Sequence, residues 1–365
     1  MKIAFILGTR PEGIKLAPVI QAIRKETKHE TVLINTGQHE KLINDTLQLF
    51  SLESDYNLKL MSKNQRADQF VSKAISAISQ TLDSIKPDLV FIVGDTASTF
   101  AAAFSSFHHK VPIVHIEAGL RTNDIYSPFP EEAYRQLVTR LATYHFAPTQ
   151  KNKENLLAEN ILESKIQVVG NPVIDALHYI QQQTNSSVYE IHPYLNFKKK
   201  ILLLTTHRRE NFEHMNKIYN AILEIVNLHK DVEVVFPAHP NPNVQRQIKR
   251  LLNHKQVHVV EPMDYVSFSV LMKQSYMVVT DSGGIQEEAP AFDIPVIVVR
   301  NSTERTEGME AGTLILAGTE SAPIIDAIHK QLIDPSLYNQ TAKAKNPYGD
   351  GQTSTRIVNW IEKYN

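Results

Sequence analysis

Short apolar runs alternate with longer amphipathic stretches along most of this chain. The short runs predict buried strands, and the longer stretches predict helices that cover them. Such alternation is typical of βαβ units, which build parallel sheets with helices on both faces. The predicted strands form a first series at 2–7, 31–35, 89–94, 111–117, 144–147 and 166–169, and a second series at 201–206, 232–237, 258–260, 277–281 and 296–300.

The two series predict two doubly wound α/β domains. A chain of 365 residues exceeds the size at which one core usually keeps growing, and an apolar fraction of 42% is enough to fill two cores. The strand pattern lapses between 170 and 200, where Gln, Asn, Ser and Pro are frequent. We therefore assign 1–171 to an N-terminal domain and 172–351 to a C-terminal domain. Apolar spacing over 353–364 predicts a closing amphipathic helix.

Composition excludes several kinds of partner. Lys and Arg together number 38 against 39 acidic residues, so bulk charge offers no attraction for nucleic acid. The chain has no cysteine, and therefore no disulfide and no thiolate metal ligand. Its first apolar run is too short for a signal peptide, and no stretch approaches the roughly 18 apolar residues of a membrane span. We expect a cytoplasmic protein without a membrane partner.

A turn of small residues follows the predicted strand at 277–281. Ser282, Gly283 and Gly284 lead directly into a predicted helix, where free backbone N–H groups and the Ser hydroxyl favour a bound phosphate. Glu288 lies about one helical turn after Gly284, within reach of a sugar hydroxyl. A nucleotide diphosphate would suit both groups. The alternative is an ordinary helix start, since Ser and Gly are common N-caps.

Charged residues also follow strands of the first series, where open parallel sheets bind their ligands. Arg10 and Lys15 lie on the turn after the first strand, and either bind a phosphate or are solvated surface cations. Three acids, Asp95, Glu117 and Glu131, lie at strand ends or in the loops that follow. Together they could hold a divalent metal or transfer protons. Taken singly, Asp95 and Glu131 also fit helix starts.

Two histidines follow strands of the second series. His207 comes directly after the strand at 201–206, and His239 follows the strand at 232–237. His207 is a candidate phosphate donor or general acid. A structural histidine is the alternative at both positions.

Several motifs occur in order along nearly the whole chain. They are GTRPEGIKLAP at 8–18, TGQH at 36–39, GDTASTFAAA at 94–103, HIEAGLRTNDIYSPFPEE at 115–132, GNPVIDAL at 170–177, THRREN at 206–211, TDSGGIQEEAP at 280–290, TERTEGMEAGT at 303–313 and NPYGDG at 346–351. In this combination the chain resembles the non-hydrolysing UDP-N-acetylglucosamine 2-epimerase family. The resemblance implies two Rossmann-like domains around a central cleft, as in GT-B glycosyltransferases, with a C-terminal helix, 352–365, that returns to the first domain.

The resemblance also implies roles for the residues singled out above. Lys15, Asp95, Glu117, Glu131 and His207 match positions regarded as catalytic in the family. The residues matching its UDP site are Arg10, Ser282, Gly283, Gly284 and Glu288. The family converts UDP-N-acetylglucosamine (UDP-GlcNAc) to UDP-N-acetylmannosamine (UDP-ManNAc) through elimination of UDP and a 2-acetamidoglucal, with no metal and no nicotinamide. A homodimer that serves surface-polysaccharide synthesis is implied as well.

A second substrate site is known in bacterial members of the family. Gln38, His39, Arg208 and His239 match that allosteric site, whereas Lys41 stands where Gln is usual and the Arg expected near Asn64 is missing or displaced to Arg66. Two alternatives to the main interpretation remain. A hydrolysing epimerase would release N-acetylmannosamine and UDP, and a GT-B glycosyltransferase would need an acceptor.

Overall fold

The computed structural model describes residues 1–63, 65–183, 195–196, 198–239, 241–248, 251 and 254–364. The chain divides into two compact units. Unit 1 comprises Met1–Tyr179 and Tyr348–Asn365, and unit 2 comprises Ile180–Pro347. The boundaries assigned from the sequence, at 171/172 and 351/352, remain predictions.

Unit 1 is built on a parallel sheet with strand order β3-β2-β1-β4-β5-β6-β7. Its strands are β1 (Lys2–Leu7), β2 (Glu30–Asn35), β3 (Tyr56–Asn57), β4 (Leu89–Val93), β5 (Ile113–Ile116), β6 (Tyr144–Ala147) and β7 (Ile166–Val168). Its helices are α1 (Arg10–Glu26), α2 (Glu40–Leu49), α3 (Ala67–Ile85), α4 (Ala97–His108), α5 (Glu131–Leu141), α6 (Gln150–Ala158) and α7 (Pro172–Gln183), whose end belongs to unit 2.

Unit 2 repeats this architecture with strand order β10-β9-β8-β11-β12-β13, again parallel. Its strands are β8 (Lys200–Thr205), β9 (Val232–Pro237), β10 (Val257–Val260), β11 (Met277–Thr280), β12 (Val296–Val298) and β13 (Leu314–Leu316). Its helices are α8 (Met215–Leu228), α9 (Pro242–Gln247), α10 (Tyr265–Gln274), α11 (Gly283–Glu288), α12 (Thr306–Ala311), α13 (Ser321–Ile333) and α14 (Pro335–Ala342). The predicted pair of parallel-sheet α/β domains is confirmed.

The central strands are buried on both faces, which explains their continuous apolar sequences. In β1 and β4 the rings of Phe5 and Phe91 stack 5.1 Å apart in the core of unit 1. The closing helix α15 (Thr353–Lys363) packs against α1, and its Trp360 ring lies 5.0 Å from the ring of Phe146. None of the described helices is long and apolar enough to cross a membrane.

Each sheet reverses its strand order at one point, and ligands of open α/β sheets bind there beyond the carboxyl ends of the strands. In unit 1 this point lies between β1 and β4, and in unit 2 it lies between β8 and β11. The turns that leave these four strands carry Arg10, Asp95, His207 and Ser282. The topology therefore gathers predicted site residues at one point in each unit.

Candidate functional site

A partly buried ion pair joins α1 to the end of β5. Lys15 Nζ in α1 lies 2.6 and 2.5 Å from the two carboxylate oxygens of Glu117, which follows β5. The same carboxylate accepts a hydrogen bond of 3.2 Å from Asn171 Nδ2. Glu117 has a φ of 64°, a conformation that non-glycine residues rarely adopt. Such strain at a buried acid is typical of functional sites.

Asp95 lies beside this pair and has its own cationic partner. Arg135 in α5 donates from Nε to Asp95 Oδ2 at 2.7 Å and from Nη1 to the fully buried Glu132 at 3.1 Å. A Cβ added to Gly94, the residue before Asp95, would lie 3.3 Å from Glu117 Oε2. The carboxylates of Asp95 and Glu117 therefore leave neighbouring strands at one edge of the sheet.

Glu131 is the first residue of α5 and lies one helical turn before Arg135. Its side chain is partly exposed, and no hydrogen bond or ion pair of its carboxylate occurs among the described residues. Over all the residues that the structure describes, no group of three or more acid or histidine side chains is arranged to hold a metal ion.

His115, the third residue of β5, supports the backbone beneath these acids. Its Nε2 lies 2.7 Å from the carbonyl oxygen of Gly94, so Nε2 carries the proton and donates. Burial lowers the pKa of His115 to about 4, against the opposing effect of the hydrogen bond to Gly94. At neutral pH the ring is therefore a neutral donor that holds the residue preceding Asp95.

In unit 2 a fully buried carboxylate organises the predicted phosphate site. Asp281, directly after β11, accepts hydrogen bonds from the backbone N–H groups of His207 and Arg208 at 3.0 Å and from Asn211 Nδ2 at 3.2 Å. His207 Nδ1 lies 3.5 Å from the other oxygen of Asp281. The turn after β8 is thus fixed to the turn after β11.

The His207 ring itself lies partly exposed at this edge. It stacks on the His239 ring with 5.6 Å between centroids. Partial burial has the largest effect on the His207 ring and lowers its pKa, and the charges of Arg208 and His239 act in the same direction. The Asp281 carboxylate raises the pKa, but the net result is a decrease. A neutral ring at pH 7 follows, with one nitrogen available as a donor.

In the turn of small residues after Asp281, a nearby arginine leaves no room for a side chain at Gly283. A Cβ added to Gly283 would lie 2.8 Å from Nη1 and 2.9 Å from Cζ of Arg305. Arg305 is itself fixed, since its Nε donates to Glu287 at 2.8 Å and its Nη1 contacts Glu304. The Ser282 side chain makes no capping hydrogen bond to α11. Ser282 is the N-cap residue of α11 by position, so the phosphate site and the ordinary helix start both remain predictions.

Two further acids surround the turn. Glu288 Oε2 accepts a hydrogen bond of 3.0 Å from the Tyr265 hydroxyl. Burial of Glu304 would raise its pKa, but Arg305 and Arg300 outweigh this effect and hold the pKa well below its usual range. Glu304 is therefore ionised, and its contact with Arg305 helps to fix the guanidinium next to Gly283.

The residues predicted for the allosteric site make separate contacts. Gln38 Oε1 accepts hydrogen bonds from Ser98 N at 3.1 Å and Ser98 Oγ at 2.7 Å, and the His39 side chain is exposed. In unit 2, Arg208 donates its backbone N–H to Asp281, and His239 stacks on His207. Asn64 lies outside the described residues. An allosteric role for these residues remains a prediction.

Sequence reasoning missed several residues that hold the site together. Five buried residues belong to this group: Glu12, Glu132, Arg135, Asp281 and Arg305. Glu12, Arg135 and Asp281 are hydrogen bonded to predicted site residues or their turns, Glu132 is hydrogen bonded to Arg135, and Arg305 lies next to Gly283. A signal existed for Asp281, because an acid directly after a buried strand was the argument applied to Glu117. No comparable local signal marked Arg135, because its partner Asp95 is 40 positions away in the chain.

Comparison with known proteins identifies the family. The model of the UDP-N-acetylglucosamine 2-epimerase family matches residues 21–362. The UDP-N-acetylglucosamine 2-epimerase of Salmonella typhimurium is 42% identical over 100% of this chain and 99% of its own length. The chain belongs to the UDP-N-acetylglucosamine 2-epimerase family. The resemblance inferred from the sequence motifs is confirmed at that level.

Solved structures of this family have the same fold. The Neisseria meningitidis UDP-GlcNAc 2-epimerase, solved bound to UDP-GlcNAc, superimposes with a TM-score of 0.95 at 41% identity, with 100% of both chains covered. The Methanocaldococcus jannaschii UDP-GlcNAc 2-epimerase, solved in complex with UDP-GlcNAc and UDP, has a TM-score of 0.84 at 34% identity, also over 100% of both chains.

Proposed function

We propose that this protein interconverts UDP-GlcNAc and UDP-ManNAc without hydrolysis. The observation that carries the proposal is the geometry of unit 1 in a chain of this family. Asp95 and Glu117, each with a cationic partner, leave neighbouring strands at the edge of the sheet where ligands bind, and Glu131 begins the helix that supplies the partner of Asp95. An epimerase that acts at C2 needs two proton-transfer groups on opposite faces of the sugar.

The chemistry of the sugar dictates elimination before epimerisation. The hydrogen on C2 is not acidic, because no carbonyl is attached to that carbon. The C1–O bond therefore breaks first, with its electron pair leaving on UDP, and a carboxylate removes the C2 proton to give 2-acetamidoglucal. Protonation of C2 on the other face and return of the UDP oxygen to C1 complete the reaction, so that no water is consumed.

We assign the proton transfers to Asp95, Glu117 and Glu131. Lys15 holds Glu117 at 2.5 Å and Arg135 holds Asp95 at 2.7 Å, so each carboxylate has a fixed direction. Proton transfer depends on such fixed positions within hydrogen-bond reach of the substrate. The positive charge of Lys15 also favours the departure of the anionic UDP.

We assign the diphosphate to Arg10, His207 and the turn at Ser282, Gly283 and Gly284, and the ribose to Glu288. Support comes from the neutral donor ring of His207, the Ser282 hydroxyl, which makes no capping hydrogen bond to α11, and the backbone fixed by Asp281. These groups would stabilise the charge that develops on UDP as it leaves.

A proton NMR time course of UDP-GlcNAc in D2O tests this reaction. We expect UDP-ManNAc to appear with deuterium at C2 and the nucleotide still attached. Free N-acetylmannosamine with stoichiometric UDP would instead identify a hydrolysing enzyme. Turnover that begins only after an acceptor is added would identify a glycosyltransferase.

Replacing Gly283 by Ala tests the diphosphate site. The new Cβ would meet Arg305 at 2.8 Å, and the ion pairs of Arg305 resist its displacement. We expect the turn to shift and the affinity for UDP to fall roughly tenfold, which corresponds to about 1.4 kcal/mol. Calorimetric titration with UDP provides the measurement, and Glu224→Gln, at an exposed position on α8, provides the control. Unchanged UDP affinity in the Ala variant would show that the turn is not part of the UDP-binding site.

Four further predictions depend on this function. They are a homodimer, activation by a second UDP-GlcNAc, a cytoplasmic location and a role in surface-polysaccharide synthesis. Sigmoidal kinetics in UDP-GlcNAc, together with no reaction of UDP-ManNAc alone, would demonstrate the second site.

A further inference from the structure

One buried carboxylate outside the predicted catalytic set connects two turns of the site. The side chain of Glu12, in the first turn of α1, is 3% exposed. Its Oε2 accepts hydrogen bonds from the backbone N–H groups of Gly8 at 2.8 Å and Thr9 at 2.7 Å. Its Oε1 accepts from Thr96 Oγ1 at 2.5 Å and Thr99 Oγ1 at 2.8 Å. The single proton of the Thr99 hydroxyl is shared between Glu12 and the Val93 carbonyl oxygen, which is also 2.8 Å away. Burial of a carboxylate is costly, and these donors offset that cost.

The donors belong to the two turns at the switch point of the unit 1 sheet. Gly8 and Thr9 end the segment between β1 and α1, directly before Arg10. Thr96 directly follows Asp95 and is the N-cap of α4. Glu12 thus lies at the N-termini of α1 and α4 together, where the helix dipoles stabilise a negative charge. No Lys or Arg forms an ion pair with it in the described part of the chain.

A second contact limits how these two turns can approach each other. Ser98 and Thr36 lie so close to Gly8 that a Cβ there would be 2.3 Å from Ser98 Oγ and 2.0 Å from Thr36 Oγ1. The β1 turn therefore packs directly on the start of α4, and the hydrogen bonds that Glu12 accepts from Thr96 and Thr99 span that contact.

We infer that Glu12 is a positioning residue that fixes the start of α1, which bears Arg10 and Lys15, against the turn bearing Asp95. The inference rests on the proposed function, because only that function gives these residues a joint task. Glu12 does not itself transfer protons, since both of its oxygens are occupied by structural donors. Its loss should misalign the two turns and slow the proton transfers.

Three variants separate this role from the alternatives. Glu12→Ala removes the acceptor of all four hydrogen bonds, and we expect kcat to fall roughly 10²-fold, as for misplacement of a catalytic group by about 1 Å. Glu12→Gln retains an oxygen for the Gly8 and Thr9 amides, and its NH₂ donates to the threonine hydroxyls, which rotate to accept. We expect Gln to restore most of kcat. Thr99→Val removes one donor from the other side and should lower kcat in the same direction. Glu26→Ala, exposed at the end of the same helix, is the matched control.

Two readouts besides kcat distinguish positioning from chemistry and from simple unfolding. We expect the pH profile of kcat to keep its shape in Glu12→Gln, and hydrogen exchange at the Gly8 and Thr9 amides to accelerate in Glu12→Ala but not in Glu12→Gln. A Gln variant as slow as the Ala variant, with one limb of the pH profile lost, would make Glu12 a proton donor and overturn the inference. An Ala variant with kcat within twofold of the wild type would overturn it as well.

The wild type is measured first in the same NMR assay. This measurement distinguishes a failure of the proposed function from a failure of the positioning role of Glu12. If the wild type produces no UDP-ManNAc, the proposed function fails. The exchange of the Gly8 and Thr9 amides would still report whether Glu12 holds the two turns together.

Discussion

Replacing Glu117 by Gln is expected to lower the turnover of UDP-GlcNAc roughly 10³-fold, the range typical of a lost general acid or base. The amide has nearly the shape of the carboxylate but cannot accept a proton, and it leaves Lys15 without its anionic partner at 2.5 Å. Because Glu117 is not among the residues assigned to the diphosphate, UDP affinity should change by less than about threefold. NMR assays of epimer formation and calorimetric titration with UDP measure the two quantities separately.

The same reasoning applies to Asp95→Asn and Glu131→Gln. Partial loss of one proton-transfer group should also release free 2-acetamidoglucal and UDP, because elimination then outpaces the return step. Glu154→Gln, at an exposed position on α6, is the control for a charge lost from unit 1. If all three carboxylate variants turned over like the wild type, the proton-transfer scheme would have to be abandoned.

Replacing Asp281 by Ala is expected to lower the free energy of unfolding by about 3 kcal/mol, because buried donors lose their acceptor. The donors are the N–H groups of His207 and Arg208 and the Asn211 amide, and the Asp281 side chain is fully buried. UDP binding should fall with stability, since the turns bearing His207 and Ser282 both depend on this carboxylate. Urea unfolding gives the free energy, and hydrogen exchange in β8 and β11 locates the loss.

Asp281→Asn separates the effect of the lost charge from the effect of the lost hydrogen bonds. One Asn oxygen can still accept the three hydrogen bonds, and its NH₂ can face His207 Nδ1, which lies 3.5 Å from the present carboxylate. We expect a smaller stability loss, about 1 kcal/mol. Because Asp281 raises the pKa of His207, that pKa should fall further in Asp281→Asn. Equal losses in the Asn and Ala variants would mean that charge, rather than hydrogen bonding, holds the turns.

Much of the fold followed from local pattern. The strands at 2–7, 144–147 and 232–237 have the predicted ends, because apolar runs bounded by polar residues mark buried strands. Two strands were not predicted. Tyr56–Asn57 has two exposed residues and lacks the apolar signal, and Leu314–Leu316 is too short to distinguish from the end of a loop. Both lie at sheet edges, where burial constrains sequence least.

The site was predictable in part for the same reason. Asp95, Glu117, His207 and Ser282 lie one or two residues after strands, and parallel topology brings such positions to one edge of each sheet. The sequence did not reveal which residues form the ion pairs and hydrogen bonds that position each charged side chain. Arg135 and Glu12 act on residues distant in the chain, and no local spacing predicts a contact of that kind.

The sequence by itself therefore determined two parallel α/β domains, the family, and the residue types available for phosphate binding and proton transfer. These properties follow from periodicity and from motifs a few residues long. Only the tertiary structure decided which cation serves which acid, that Gly283 is required by Arg305, and that Asp281 and Glu12 hold the turns. The reason is physical, since partners for buried charges are chosen by distance in the folded chain and by the high cost of leaving a charge unpaired.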